Sequence, residues 1–315
     1  MKIYTDNPGY AGQILDPSGP WQPISPKALS PEIQLLAGQL MEGNKLYEGL
    51  IDKNSIFNPL FIREFTPFSQ FDFLVQYSKQ VEKISTGFLC FSGAGRKFHG
   101  FRNREWVSMP GNIHLSILLE PRKKISHTDS AFLILAANAV VQTIDSLKRI
   151  NGQPQIKWVN DIVINDRKVG GVLVQTQIQG EITDRVIIGI GLNVDESPEI
   201  ESDPFILGTT AINHLVQGSE KYALAEILWQ LIVNLERNYM VIMNDEYNKL
   251  LNEYISHSLL PGQYIEVFSD PREGESQKTD EGMVTSITEN LELVLQGVDH
   301  PIRKGRIKVK KINSS

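Results

Sequence analysis

The 315 residues predict an α/β protein of the α+β kind, with one mixed β-sheet backed by helices and a small β-barrel after it. Three observations carry that expectation. Two arms with alternating apolar residues, 161–164 and 168–176, flank Asn165-Asp166. Asn and Asp tolerate the left-handed conformations of a tight hairpin turn. Thr128-Asp129 precedes a long, mostly apolar stretch, 130–149, with the signals of a capped helix that should lie against the sheet. After Pro261-Gly262, four short stretches at 264–268, 281–287, 291–295 and 302–312 read as strands, with a hairpin turn at Thr288-Glu289-Asn290.

Taken in order, residues 1–30 are rich in Pro, Gly and Asn, with a short strand expected at 2–5. Ser30-Pro31-Glu32 starts a helix, with Ser as cap, Pro in the first turn and an acid near the positive dipole end. That helix is expected to end near Gly43-Asn44. A strand is expected at 62–65 and a helical rhythm over 71–81. A buried strand follows at 88–91. At 112–119, Ile113, Leu115, Ile117 and Leu119 alternate with polar residues, the pattern of a half-buried strand. On its polar face His114 reads as structural rather than catalytic. Residues 186–194 read as a strand broken by Gly189 and Gly191. A Pro- and Gly-bearing loop then runs to Gly208, and one helix is expected over 221–254. The division implied is an N-terminal extension of unknown role (1–60), a main domain (61–256) and a C-terminal module (257–315). The basic run 303–311 fits the solvated face of an edge strand.

Composition narrows the function classes. A hydrophobic content of 41% with 22% charged residues is ordinary for a soluble globular protein. No apolar run reaches the length of a membrane span. Cys90 is the single cysteine, so an internal disulfide is excluded; this fits a cytoplasmic protein, and the apolar run 87–91 makes Cys90 a buried, inert thiol. A net charge of −6 argues against nonspecific nucleic-acid binding. Residues 1–60 hold four Lys, no Arg and six Asp/Glu, with no clear pair of helices and basic recognition face, so no DNA partner is expected there.

The chemistry concentrates in two stretches. In the hairpin, a two-residue loop sets Val163 opposite Lys168, which puts Asp161 and Lys168 diagonally on one face. An Asp that can hold a cation beside a Lys that can meet an anion suits a nucleotide and its metal. Glycines after Lys168 let a ligand approach the backbone. The second stretch is 92–106, with four fixed cations (Arg96, Lys97, Arg102, Arg104) and three glycines in a turn-prone run. Arg forks pair with phosphate or carboxylate oxygens, so the run reads as a mobile loop able to wrap an anion.

The block Lys157-Trp158-Val159-Asn160-Asp161, with Lys168-Val169-Gly170-Gly171-Val172-Leu173-Val174, resembles the central motif of biotin protein ligases. That motif reads Lys-Trp-Pro-Asn-Asp, then Lys-x-Ala-Gly-Ile-Leu-Val-Glu. Gly95 to Trp106 is similar to the family's glycine/arginine-rich loop. Ile188-Gly189-Ile190-Gly191-Leu192-Asn193-Val194 is similar to its Gly-x-Gly-Ile-Asn strand. The resemblance covers about residues 62–313 and implies a class II synthetase-like ligase domain with a C-terminal SH3-like β-barrel. Departures are Val159 for Pro, Gly170 for Ala, Gln175 for Glu, Phe101 and Asn103 within the loop, and Ser92 where the family has Gln. Ser69 and Gln70 stand nearest to the family's Ser-Thr-Asn, although a helix cap explains Ser69 equally well.

The resemblance further implies an ATP-dependent enzyme that converts biotin and ATP, with Mg²⁺, to biotinyl-5′-AMP and diphosphate. It then transfers biotin to a lysine of a biotin carboxyl carrier protein or domain. Lys168, Asp161, Lys157 and Arg104 are the catalytic candidates, and Asp161 is the metal ligand. Ser69, Gln70, Ser92, Gly95, Arg96, Gly100, Arg102, Trp106, Asn160, Gly171, Leu173, Gly189 and Asn193 are the substrate-binding candidates. A homodimer is one assembly open to such a chain. Two alternatives remain at this point: a lipoate or octanoate ligase or transferase on the same scaffold, and a non-catalytic ligand-binding regulator.

Overall fold

Apolar alternation decides which side of each strand is buried, and in the middle of this chain both sides are. The computed structural model describes all residues except 42–44, 85–86, 200–204, 206–207, 270–275 and 311–315. Ten strands make one mixed sheet: β1 (Lys2–Thr5), β2 (Gln22–Ile24), β3 (Leu46–Leu50), β4 (Phe57–Thr66), β5 (Gly87–Gly95), β6 (Ile113–Leu119), β7 (Gln155–Lys157), β8 (Asp161–Ile164), β9 (Arg167–Gln179) and β10 (Ile182–Leu192). Their order across the sheet is β2-β3-β1-β4-β5-β6-β10-β9-β8-β7. The β1–β4 and β4–β5 pairs are parallel and the rest antiparallel.

Among the described residues, six α-helices cover the two faces: α1 (Pro8–Ile14), α2 (Pro31–Leu40), α3 (Gln70–Ser78), α4 (Thr128–Asp145), α5 (Leu224–Met243) and α6 (Tyr247–His257). Odd and even residues of each central strand go to different cores. Leu60 and Ile62, Leu89 and Phe91, and Ile188 pack with α1 and α4–α6. Phe61, Phe88, Cys90, Leu118 and Ile187 pack with α2 and α3. Helix α4 is the expected backing helix. It starts at Thr128 after His127, and the Thr128 hydroxyl caps nothing: it donates to the Ile125 carbonyl and meets Thr183 Oγ1.

Several sequence expectations are corrected. Strand β6 is buried on both faces, not half-buried, because it lies between β5 and β10 with α3 on one side and the larger core on the other. Strand β10 runs unbroken through Gly189 and Gly191, so those glycines clear space rather than end a strand. The single helix expected over 221–254 is two, α5 and α6, divided where Asp245 takes a left-handed φ of 61°. Helix α2 ends at Leu40, and the expected stop at Gly43-Asn44 lies outside the described residues. The first fifty residues supply strands β1–β3 to the sheet, with β1 parallel to β4. Asp6 lies 3.3 Å from Arg63 of β4, and Arg63 also donates to the Leu40 carbonyl at 2.6 Å.

The C-terminal module is a four-stranded antiparallel sheet in the order β13-β12-β11-β14, consistent with an SH3-like barrel. Its strands are β11 (Tyr264–Phe268), β12 (Lys278–Ile287), β13 (Leu293–Leu295) and β14 (Arg306–Val309). The last strand is shorter than the expected 302–312, of which 311 and 312 lie outside the described residues. Trp158 Nε1 donates to the Leu291 carbonyl at 2.6 Å, tying the module to the main hairpin.

Candidate active site

The site begins as a gap in a helix layer. Helix α3 covers one face of the sheet as far as Leu118 and Ile187. On that face the next positions are Ser116 and His114 of β6, Gly189 and Gly191 of β10, and Leu173 and Gly171 of β9. Small residues there leave the sheet surface open, and a cleft of about 260 Å³ lies over it. Phe71 of α3 closes one end over Gly189, where an added Cβ would meet the ring at 3.0 Å. Trp106 lies over Gly191, where an added Cβ would be 2.5 Å from the indole.

The hairpin has the geometry its sequence implies, with one refinement. Asn165 and Asp166 both adopt positive φ, 50° and 62°, and Val163 pairs with Lys168. A bulge at Val169 then sets Ile162 opposite Gly170 and Asp161 opposite Gly171. Lys168 Nζ meets Asp161 Oδ1 at 2.6 Å and stands 5.4 Å from the centre of the Trp106 ring. The Lys168 backbone is fixed by Gly208 and Thr210 at 3.0 and 2.9 Å.

Residues 98–106 form a short hairpin over the cleft. His99 pairs with Glu105, Gly100 N–H donates to the Arg104 carbonyl and Trp106 N–H to the Phe98 carbonyl. His99 Nε2 lies 2.9 Å from Asp72 in the first turn of α3. Burial alone would lower the His99 pKa, but hydrogen bonds to Asp72 and the Gly100 carbonyl outweigh it, so the pKa is raised. Ser108 holds the stem by accepting from Gly95 N–H and donating to the Gly95 carbonyl.

Buried polar atoms without a partner mark where a ligand belongs. Gln70 Nε2, Trp106 Nε1, His114 Nε2 and Asn193 Oδ1 are all buried, make no hydrogen bond within the chain, and belong to residues that line the cleft. Asn193 is held by its own amide donating to the Thr210 carbonyl at 3.1 Å. Burial lowers the His114 pKa to about 4, so its ring is neutral at pH 7. Cys90 is fully buried and burial pushes its thiol pKa up, so it takes no part as a nucleophile.

Of the residues the sequence singled out, Ser69, Gln70, Gly100, Arg104, Trp106, Asn160, Asp161, Lys168, Gly171, Leu173, Gly189 and Asn193 line this cleft. Ser69 also caps α3 through Asp72 N–H at 3.2 Å, so the cap and the cleft wall are the same residue. The others stand apart. Ser92 is buried, accepting from Thr66 Oγ1 and donating to the Ala94 carbonyl. Gly95 lies beneath Phe98, Arg96 stacks over Phe65 and Arg102 over Phe101. Lys157 donates to the Phe205 carbonyl and lines a neighbouring cleft of about 350 Å³. That second cleft shares Phe101, Arg104, Asn160, Asp161 and Arg306 with the first.

The comparisons with known proteins concern this same region. Residues 76–193 match the Biotin/lipoate A/B protein ligase family. The bifunctional ligase/repressor BirA of Bacillus subtilis (strain 168) is 33% identical over 167 residues, 53% of this chain and 49% of that protein. The biotin–[acetyl-CoA-carboxylase] ligase of Paracoccus denitrificans is 31% identical over 110 residues, 35% of this chain and 43% of that one. The chain thus spans about half the length of the curated relatives it matches. The biotin protein ligase from Aquifex aeolicus in complex with biotin and ATP is similar in fold, with a TM-score of 0.60 at 19% identity. That likeness covers 81% of this chain and 99% of that one.

Around the cleft, sequence reasoning missed Arg306, and His114, read from sequence as structural, lines the cleft wall. Arg306 belongs to the basic run 303–311, for which a solvated face is expected. Its guanidinium instead sits 3.8 Å from the centre of the Phe205 ring, and it lines both clefts. Its neighbours Lys308 and Lys310 do face outward, beside Glu266. Alternation along β14 puts Arg306 on the same side as Lys308, so it held no signal; only the docking of the module brings Arg306 to the clefts. Among the described residues, no helix is long and apolar enough to cross a membrane.

Proposed function

We propose that this chain activates biotin with ATP to biotinyl-5′-AMP and transfers the biotinyl group to a lysine of a biotin carboxyl carrier domain. The observation that carries the proposal is the cleft itself. The Lys168–Asp161 pair, 2.6 Å apart, lies at one end of a glycine-floored groove whose buried polar atoms have no partner in the chain. In the first step a carboxylate oxygen attacks the α-phosphorus and diphosphate leaves. Two anions must meet, so a fixed cation between them lowers the barrier. The Lys168 ammonium suits that place. Arg104, at the mouth of both clefts, suits the departing phosphates.

Asn193 Oδ1 is a buried acceptor suited to the amino group of adenine. Trp106 offers a flat apolar face beside Lys168. Among the described residues no group of three acidic, His or Cys side chains gathers as a metal cage. One carboxylate, Asp161, fits a Mg²⁺ ion that arrives on ATP and keeps phosphate oxygens as its other ligands. Bound there, the ion would spread phosphate charge. Lys157, held by the Phe205 carbonyl, Arg303 and Lys304 line the adjoining cleft and not the first, which makes it the more cationic of the two. Residues 61–256 act as the ligase unit on this reading, 257–315 as the module that closes the second cleft, and 1–60 as an extension of the sheet.

The test is transfer. The chain, MgATP, biotin and a biotin carboxyl carrier domain are incubated and the carrier is weighed by intact mass spectrometry. A mass gain of one biotinyl group, lost when the carrier lysine is changed to Arg, is the expected result. An unmodified carrier overturns the proposal.

A further inference from the structure

The hairpin 98–106 brings Arg104 and Trp106 to the cleft wall. Its arms are joined by the His99–Glu105 bridge and by the Gly100 and Trp106 amides. At its tip Arg102 and Asn103 both take positive φ, 58° and 57°. A two-stranded hairpin this short is marginal in water by itself, so its contacts with the rest of the fold decide whether it stays down. Ser108 ties its root at Gly95. His99 ties its first arm to helix α3.

Both ring nitrogens of His99 face acceptors. Nε2 lies 3.0 and 2.9 Å from the two carboxylate oxygens of Asp72, and Nδ1 lies 3.1 Å from the Gly100 carbonyl. An ionised carboxylate and a carbonyl only accept, so both contacts are hydrogen bonds when the ring carries two protons. A neutral ring turns a lone pair toward one of them. Asp72 is the charge that acts on the ring from α3, and it raises the ring's pKa from 6.5 together with the Gly100 carbonyl. Glu105 stands opposite in the other arm, paired backbone to backbone. Phe71 meets the ring edge-on at 6.2 Å, centre to centre, and the same Phe71 closes the cleft over Gly189. His99 therefore joins the loop that roofs the cleft to the helix that ends it.

We infer that His99 is a positioning residue: as an imidazolium bridging Asp72 and the Gly100 carbonyl, it latches the hairpin 98–106 to α3 and so holds Arg104 and Trp106 at the cleft, and its deprotonation loosens them. The sign follows from the geometry. A ring whose pKa is raised in the latched state is fully latched below pH 6.5 and lets go as the pH rises through the raised value. The latch stands on the cleft alone; its effect on turnover rests on the activating reading above.

The test is hydrogen exchange of the backbone amides of 98–106 in the full chain without substrate, at about pH 6 and about pH 8.5, corrected for the intrinsic rate at each pH. Wild type is compared with His99→Ala and His99→Gln. A partly exposed charged pair is worth a few-fold, so wild-type protection should fall about fivefold between the two pH values. His99→Ala should show the lower protection already at pH 6. His99→Gln, whose amide donates to Asp72 at either pH, should be equally protected at both. The KM for ATP of the wild type, taken relative to His99→Gln, should rise about fivefold over the same range while the kcat ratio stays level. Equal wild-type protection at the two pH values would overturn the inference whether or not a variant folds. So would a pH dependence that persists in a folded His99→Gln, or a level KM ratio where protection falls. Exchange as expected with no turnover of any acid would instead overturn the activating reading and leave the latch standing.

Discussion

His114 makes the protein sensitive to acid in a way that one substitution removes. Its ordinary pKa of 6.5 falls to about 4 in the fold, and burial is the cause. The ring faces the Ser92 carbonyl and the Phe98 ring, 5.4 Å away centre to centre. The unfolded chain takes up a proton below pH 6.5, while the folded chain does not until about pH 4. Stability from this group is therefore full above pH 6.5 and is lost as pH falls between those values. Moving from pH 7 to pH 5 should cost about 2 kcal/mol through His114 alone. Urea unfolding of the wild type and His114→Gln at both pH values isolates that amount, because every other titrating group contributes to both proteins. A double difference of about 2 kcal/mol is expected. An equal pH dependence in the two proteins would refute a buried neutral ring, and with it the lone pair on Nε2.

Three other outcomes follow from the same geometry. Lys168→Ala should lower the single-turnover rate of adenylate formation by about 10²–10³-fold, while urea stability changes little because the partly exposed pair with Asp161 contributes at most about 1 kcal/mol; a rate within fivefold of wild type would remove Lys168 from the first step. Gly191→Ala puts a Cβ 2.5 Å from the Trp106 indole, so the indole must leave its seat. The KM for ATP should rise about tenfold with a red-shifted tryptophan emission, against an overpacking cost of about 1–3 kcal/mol; unchanged emission and KM would place Trp106 elsewhere. Asp6→Ala removes the carboxylate 3.3 Å from Arg63, a side chain only 6% exposed. Urea unfolding should register a loss of about 3 kcal/mol, and a loss under about 1 kcal/mol would mean β1 is not fastened to β4 in this way.

The hairpin was legible because its signals are local. A two-residue Asn-Asp turn and alternating apolar arms fix the register between Val163 and Lys168 with no help from the rest of the chain. The bulge at Val169 was not legible, yet it is what brings Asp161 opposite Gly171. Long-range pairing was also hidden. Nothing in residues 2–5 announces that they will lie parallel to 60–62 and extend the sheet. Alternation in β6 showed which side of the strand is polar, but not that helix α3 stops short and leaves His114 and Ser116 under a cleft. The loop 92–106 was recognisable by its cations and glycines. Individual roles were not, because Arg96 and Arg102 stack on Phe65 and Phe101 without lining the cleft while Arg104 reaches its wall. Asp245 stops helix α5 by adopting a left-handed backbone, and a lone Asn-Asp pair inside a long apolar rhythm gives little warning of it.

Diphosphate release, followed continuously with MgATP and biotin, lipoate or octanoate in turn, bears most directly on the central claim. Biotin-dependent release that Lys168→Ala abolishes is the result predicted. Release driven only by lipoate or octanoate would contradict the assignment of the acid. No release with any acid would contradict the claim that this cleft activates a carboxylate.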